Sequence, residues 1–151
     1  MQTAKQFSVR LVNKPGRLAT VLNAVGKEKV DLVALSVMDA QDRSTLRFVA
    51  EDPALARSAL ETAGVPYEMA DVLLADISSR NGAFRHICER LAGEHLAIDY
   101  AYASCAQFGG HGRSSAVIKV NDLAKAQRVL GETRAKNGRS KPIPRRPLRA
   151  R

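Results

Sequence analysis

The stretch NKPGRL at residues 13–18 separates a segment with strand periodicity from a segment with helical periodicity. Before it, Phe7, Val9 and Leu11 alternate with polar residues, which is the pattern of a half-buried strand. After it, apolar residues recur at the spacing of one helix face, at Leu18, Val21, Leu22 and Val25. Residues 13–18 therefore predict a corner between a strand and a helix.

The residue types in this corner favour an open helix start. We expect Asn13 to cap the helix, Pro15 to preset φ for the first turn, and Gly16 to leave the start of the helix without a side chain. The N–H groups of the first turn then lie at the positive end of the helix dipole, where a carboxylate can dock. A Pro-Gly turn before a helix is also common without any ligand, so the corner alone leaves both interpretations open.

The second half of the chain repeats the first. Adding 66 to each position of the corner gives residues 79–84, SRNGAF, in which Gly82 takes the place of Gly16. Farther along the chain the offset is 70, so that Asp52 corresponds to Asp122. The change of offset corresponds to a four-residue insertion in one loop. We infer an internal duplication.

Each copy is predicted to hold a strand, a helix, two strands and a second helix. The first copy adds a final strand at 67–71, which runs directly into the first strand of the second copy at 72–77. The second copy lacks this final strand, because the matching residues 137–141 contain no apolar side chain. The predicted fold is α+β, with two ferredoxin-like βαββαβ plaits in tandem, antiparallel strands, and helices on one face.

This organisation predicts two domains, at residues 1–71 and 72–132, and a tail at 133–151. Copies of about 66 residues are near the lower limit for independent stability, so we expect the halves to pack together. The missing last strand should expose a sheet edge in the second copy, and exposed edges pair with other chains. We therefore expect a homodimer.

The net charge of +9 is concentrated in the tail. Residues 133–151 contain eight Lys and Arg and no acid, which leaves 16 basic against 15 acidic residues in 1–132. The tail is interrupted by proline and poor in apolar residues, so we expect it to be disordered, either without a specific role or able to contact nucleic acid through phosphates. Only 5% of residues are aromatic, and neither third strand carries the aromatic pattern of an RNA-recognition plait, which argues against base stacking on the sheet.

The sequence contains no recognisable catalytic or metal-binding constellation. Its three histidines are dispersed without a recognisable spacing to a nucleophile or to paired carboxylates, so we expect no enzyme activity, no metal and no cofactor. Cys88 and Cys105 are interpreted as reduced thiols. No segment resembles a signal peptide or reaches the length of a membrane span, so we expect a cytoplasmic protein.

Several short patterns, taken together and in order, resemble the ACT domain family, in particular the small stand-alone tandem ACT proteins of bacteria. They are NxPGxL at 13–18, VDL at 30–32, EDP at 51–53 and IDYAY at 98–102. The resemblance covers residues 5–131. It implies a regulatory module that binds amino acids at interfaces between paired domains, where the glycine corner approaches the ligand with its backbone.

Carried over by position, the ligand-binding role falls on ten residues in two corners: Asn13, Pro15, Gly16, Arg17 and Leu18, and then Ser79, Arg80, Asn81, Gly82 and Ala83. Asn81 replaces the proline of the pattern, which favours a single competent site in the first copy.

Three functions follow as hypotheses. The leading one is a non-enzymatic module that binds an amino acid at the ACT interface. The second is a regulatory subunit of an amino-acid biosynthetic enzyme, of the acetolactate synthase small-subunit type, which would co-purify with that enzyme. The third is a nucleic-acid-associated protein that acts through the tail, and its binding would depend on salt.

Overall fold

The computed structural model describes residues 1–78, 81–104 and 114–136, with side chains through residue 131. The described part contains six strands and four helices. In chain order they are β1 (Gln2–Val12), α1 (Arg17–Lys27), β2 (Leu32–Ala40), β3 (Arg43–Ala50), α2 (Pro53–Thr62), β4 (Glu68–Asp76), α3 (Ala83–Gly93), β5 (Ile98–Ser104), β6 (Ser115–Val120) and α4 (Leu123–Lys136).

The internal duplication is visible in the local geometry of both copies. Helix α3 begins and ends 66 residues after α1, and each of these helices is preceded by a glycine with positive φ. The carboxylates of Asp52 and Asp122 accept hydrogen bonds from the backbone N–H three residues later, at 3.1 and 2.9 Å. Lys29 and His95, also 66 residues apart, share a φ of 54°. The same sequence signals therefore start and stop equivalent elements in the two copies.

Helix α4 continues past the predicted end of the second domain at residue 132 and includes the first four residues of the predicted tail. Residues 132–136 contain neither glycine nor proline, so the first strong stop signal is the Asn-Gly pair at 137–138. The rest of the predicted tail, and the residues that match the missing strand, lie outside the described residues.

All strands belong to one antiparallel sheet in the order β2-β3-β1-β4-β6-β5. The four helices cover one face through two clusters, one in each copy. Phe7, Leu46 and Phe48 are fully buried in the first cluster, and Leu73, Leu91 and Ile118 in the second. The predicted tandem α+β plait is confirmed, and the two copies share a single sheet.

Strand β4 belongs to both copies. Its first half pairs with β1 as the last strand of the first copy, and its second half pairs with β6 as the first strand of the second copy. Strand β1 is also longer than predicted, because residues 2–5 extend it and pair with residues 71–74. These residues occupy the place of the second copy's missing strand. The expected open edge at this point is therefore wrong, and the edges of the sheet are β2 and β5.

The register between β1 and β4 places a local twofold axis at Lys5 and Asp71. These residues are opposite each other, 66 positions apart, and form an ion pair of 2.7 Å. Residues 6–8 then face 70–68 in the same way that 4–2 face 72–74. The two copies that repeat in the sequence are thus related in the structure by a rotation about this axis.

The sheet curls away from its helices. Cα atoms of β2 and β5, at opposite edges, come within 8 Å of each other, although no strand pairing joins these two strands in the described part of the chain. A third cluster lies on the helix-free face. In it Val49, Val72 and Val117 are buried, and the two edge strands contribute Ala34 and Tyr102. The helix-free face is therefore concave and partly closed.

None of the helices in the described residues is long and apolar enough to cross a membrane. Cys88 is a free, half-buried thiol, and Cys105 lies outside the described residues.

Deleting residues 2–4 is expected to destabilise the protein. Val72, Leu73 and Leu74 are at most 8% exposed and would lose a covering strand, which should lower the free energy of unfolding by about 2 kcal/mol or more. In a chain of this size the melting temperature should fall by about 4–8 °C, measured by circular dichroism.

A Gln2→Ala, Thr3→Ala double variant is the control, because it keeps the backbone strand and changes only exposed side chains. An unchanged melting temperature in the deletion variant would show that this extension does not support the second copy.

Candidate functional site

The first predicted corner is an open helix start. Gly16 precedes α1 with φ of 86°, in the left-handed region that favours glycine. A Cβ at this position would meet no atom within 4 Å. Gly16 and Arg17 are exposed, whereas Leu18 is half-buried against the core. The backbone at Gly16 is therefore open to a ligand from solvent.

Asn13 does not cap α1, contrary to the expectation from the sequence. The helix begins at Arg17, and the capping position is Gly16, so Asn13 is too far from the first turn to reach its N–H groups. Its amide donates hydrogen bonds to Asp39 Oδ1 at 2.7 Å and to the Gln41 carbonyl at 3.1 Å. Asn13 instead ties the corner to the turn between β2 and β3. Pro15 likewise precedes the cap and is not part of the first turn.

The electrostatics of this helix start favour an anion. The first N–H groups of a helix have no partner within the helix. At α1 the Arg17 N–H donates to the Lys14 carbonyl at 3.3 Å, no side chain caps the N–H groups that follow it, and no acidic residue lies in the first turn. Lys14 and Arg17 are exposed beside these groups. Backbone donors, the positive end of the helix dipole and two cationic residues therefore belong to the same exposed corner.

The second corner has a similar backbone conformation, but a side chain lies over its glycine. Gly82 precedes α3 with φ of 79°, and α3 has neither a side-chain cap nor an acid in its first turn. A Cβ at Gly82 would lie 3.6 Å from Nε of Arg85, whose guanidinium forms an ion pair with Glu89. Asn81 is exposed and Ala83 half-buried, while Ser79 and Arg80 lie outside the described residues. This corner is partly covered by Arg85.

The structure does not bring the two predicted corners together. They follow the C-terminal ends of β1 and β4, which are antiparallel neighbours, so the corners lie at opposite ends of the sheet. Twelve residues of strand along the sheet separate Val12 from Asp76, or about 40 Å. The predicted ligand residues thus form two separate groups, each made by one copy alone.

A polar cluster that the sequence analysis did not identify lies on the concave face. Gln6 is fully buried, and its amide nitrogen donates to the Tyr100 hydroxyl at 2.5 Å and to Ser8 Oγ at 3.4 Å. Its amide oxygen accepts from the Tyr102 hydroxyl at 2.9 Å. Burial raises the pKa of Tyr102 well above its usual value, so this hydroxyl keeps its proton as a donor. Gln6 therefore links β1 to the distant edge strand β5.

Arg47 lies beside this cluster with part of its guanidinium unsatisfied. Its guanidinium carbon is 4.3 Å from the centre of the Tyr100 ring, in a cation–π contact. Its Nε is buried and has no hydrogen-bond partner among the described residues. One terminal nitrogen reaches only the weak acceptor Met38 Sδ, at 3.8 Å.

A cavity of about 560 Å³ opens next to Arg47, where β4 begins. The strand registers place seven of its lining residues on the concave face, and residues 66, 67 and 69 complete one wall. The seven are Ser8, Arg10, Thr45, Arg47, Glu68, Ala70 and Tyr100. The volume lies within the range of small-molecule sites.

The sequence pattern does not reveal this cavity, because most of its polar lining residues lie on the polar faces of alternating strands, which the pattern alone does not distinguish from solvent-facing positions. The one available signal was the pair of tyrosines in the second copy, at Tyr100 and Tyr102, on a strand that otherwise carries small residues.

Solved structures and a family model both match the chain over most of its length. The model described as an ACT domain pair matches residues 2–137. Protein BT0572 from Bacteroides thetaiotaomicron is 30% identical, with a TM-score of 0.76 and coverage of 87% of this chain and 89% of that one. No curated protein matches the sequence.

Two more distant structures share the fold. The regulatory subunit of aspartate kinase from Thermus thermophilus is 15% identical, with a TM-score of 0.55 and coverage of 86% of this chain and 91% of that chain. The aspartokinase alpha and beta subunits are 18% identical, with a TM-score of 0.54 and coverage of 89% and 98%. With the matched family model and the tandem plait described above, these findings show that the chain belongs to the ACT domain pair family.

Proposed function

We propose that this protein is a non-enzymatic regulatory module that binds a free amino acid at its first corner. The observation that carries the proposal is the open start of α1, where no side chain caps the first-turn N–H groups and Lys14, Gly16 and Arg17 are exposed. A ligand carboxylate would accept hydrogen bonds from these groups and gain from the helix dipole. One solved protein of the same fold is a regulatory subunit of aspartate kinase, which supports a regulatory role for this chain.

The second corner is proposed to be the weaker site or to be unoccupied. The Arg85 side chain lies over Gly82, so a ligand would have to displace it, whereas nothing covers Gly16. The departure at Asn81, which replaces the proline of the family pattern, points in the same direction.

A homodimer is also part of the proposal. The reason is the exposed edge strand β2, because the open edge expected from the missing strand is absent from the described part of the chain. Strand β2 lies at an edge of the sheet, and its only charged residue is Asp39. It exposes four large apolar residues by 38–55% of their surface, namely Leu32, Leu35, Val37 and Met38. Such an edge pairs readily with a second copy. Because Asn13 ties the first corner to the end of β2, this dimer would set that corner beside the partner and create an interface site.

Control of a biosynthetic enzyme and a cytoplasmic location complete the proposal. The control of an enzyme rests on the family pattern in the sequence and on the regulatory role of one protein with the same fold, and the location rests on the sequence alone.

The ligand should stabilise the protein, and this effect should depend on Gly16. At about 100 times the dissociation constant, binding to the native state contributes roughly 2.7 kcal/mol, so the correct amino acid should raise the melting temperature by roughly 5–11 °C. A thermal-shift screen of the common amino acids measures this. Gly16→Ala should greatly reduce the shift, because its methyl group would stand on the approach to the N–H groups.

Gly64→Ala is a matched control for backbone strain. Gly64 also has positive φ, 66°, and a Cβ added there would also meet no atom within 4 Å, but it lies at the end of α2. Both variants should lose a similar stability without ligand, roughly 1–2 kcal/mol. Only Gly16→Ala should lose the ligand shift. If neither variant loses it, or if no amino acid stabilises the wild type, the corner is a turn and does not bind the ligand.

The dimer should depend on the exposed face of β2. Val37→Lys should weaken self-association about tenfold or more, because it places a charge within the apolar edge. Light scattering coupled to size exclusion over a range of concentrations measures the change. Phe84→Lys is the control, since Phe84 is exposed to a similar extent, 38% against 44%, but lies on α3 in the second copy. A monomeric wild type at high concentration would contradict the dimer.

A further inference from the structure

Three strands of the concave face bring opposite charges to the two sides of a serine. The registers place Ser8 of β1 directly opposite Arg47 of β3 on one side and Glu68 of β4 on the other. Two strand spacings separate the Arg47 and Glu68 backbones, or about 10 Å. No ion pair joins Arg47 or Glu68 to another residue in the described ranges. The space over Ser8 is therefore bordered by one guanidinium and one carboxylate that remain available.

The guanidinium of Arg47 has hydrogen-bond donors that no acceptor among the described residues satisfies. Its Nε is buried without a partner among the described residues, although a buried donor without an acceptor costs stability. The Tyr100 ring packs against the guanidinium and holds it in place, and Gln6 in turn holds the Tyr100 hydroxyl. A planar, fixed guanidinium with free N–H groups is suited to bind a carboxylate.

We propose that this cavity is a second amino-acid site, independent of the corner, in which Arg47 binds the α-carboxylate and Glu68 binds the α-ammonium group. Ser8 supplies a hydroxyl group between the two charges. Two residues farther along β1, Arg10 adds a second cation, and Thr45 lies opposite it on β3 with a second hydroxyl group. The two charged groups of an amino acid match the two ends of the Arg47–Ser8–Glu68 row. A simple anion would satisfy Arg47 but would also face the carboxylate of Glu68.

The three tyrosines give this site its own optical signal. The chain contains no tryptophan and three tyrosines; Tyr67 and Tyr100 line the cavity, and Tyr102 shares Gln6 with Tyr100. The first corner contains no aromatic residue. A ligand in the cavity should therefore change tyrosine emission, whereas a ligand bound only at the corner should stabilise the protein without that change.

The test is a fluorescence titration of the full-length protein with each common L-amino acid. At least one should change tyrosine emission with saturation. For that amino acid, the α-carboxamide removes the group that Arg47 binds, and the N-acetyl derivative removes the group that Glu68 binds. Each derivative should bind about tenfold more weakly or worse, since a hydrogen bond to a charged group is lost.

Variants identify the residues involved. Arg47→Gln should abolish the emission change, and Glu68→Gln, at an exposed position, should weaken binding and remove the discrimination against the N-acetyl derivative. Arg43→Gln is the matched control, because Arg43 lies on β3 on the same face as Arg47 but does not line the cavity. Gly16→Ala should also retain the emission change.

Two results would overturn the cavity site. One is the absence of an emission change with any amino acid, even where the melting temperature rises, which leaves the corner as the site. The other is an emission change that survives Glu68→Gln with full discrimination against the N-acetyl derivative. If Arg47→Gln does not fold, Glu68→Gln and the two derivatives still decide the outcome.

Discussion

The antiparallel pairing of β1 with β4 is the constraint on which the rest of this structure depends. It is centred on Lys5 and Asp71, but that ion pair is half-exposed and contributes at most about 1 kcal/mol. The stability comes from the backbone ladder and from fully buried neighbours on both faces, such as Phe7 on the helical face and Gln6 on the concave face. Because each strand serves both copies, neither copy has a complete sheet without the other, and two units near the lower size limit become one fold.

The same pairing decides where ligands can bind. Because β1 and β4 are antiparallel, the two glycine corners that follow them lie at opposite ends of the sheet. One chain therefore cannot place both corners around a single ligand. The six-stranded sheet curls until β5 approaches β2, and Tyr100 and Tyr102 then close over Gln6. This curl creates an enclosed polar region next to Arg47, which a flat plait would leave in solvent. The corner and the cavity are thus two consequences of one strand arrangement.

The sequence was sufficient for the fold class and for the order of the elements, because periodicity and capping are local. Gly16, Asp52 and Gly82 mark helix starts, and the repeat offset links the copies. Residues 2–5 gave no signal, since QTAK contains no apolar alternation and forms a strand only because β4 offers an unpaired edge. Asn13 was assigned to the nearest helix, whereas its partners come from a hairpin about 26 residues away in sequence. Strand register alone places Arg47 and Glu68 on the two sides of Ser8. The polar residues of an alternating segment do not reveal which residues of other strands they will face.

Native-state hydrogen exchange tests the shared sheet most directly. If β1 and β4 hold both copies in one cooperative unit, the slowest amides of residues 5–8 and 70–74 should exchange only through global unfolding, with the same free energy as the slowest amides of β3 and β6. The two copies should also lose protection together as denaturant is added. Separate free energies for the two copies, or early loss of protection along the β1–β4 pairing while β3 and β6 remain protected, would contradict this account.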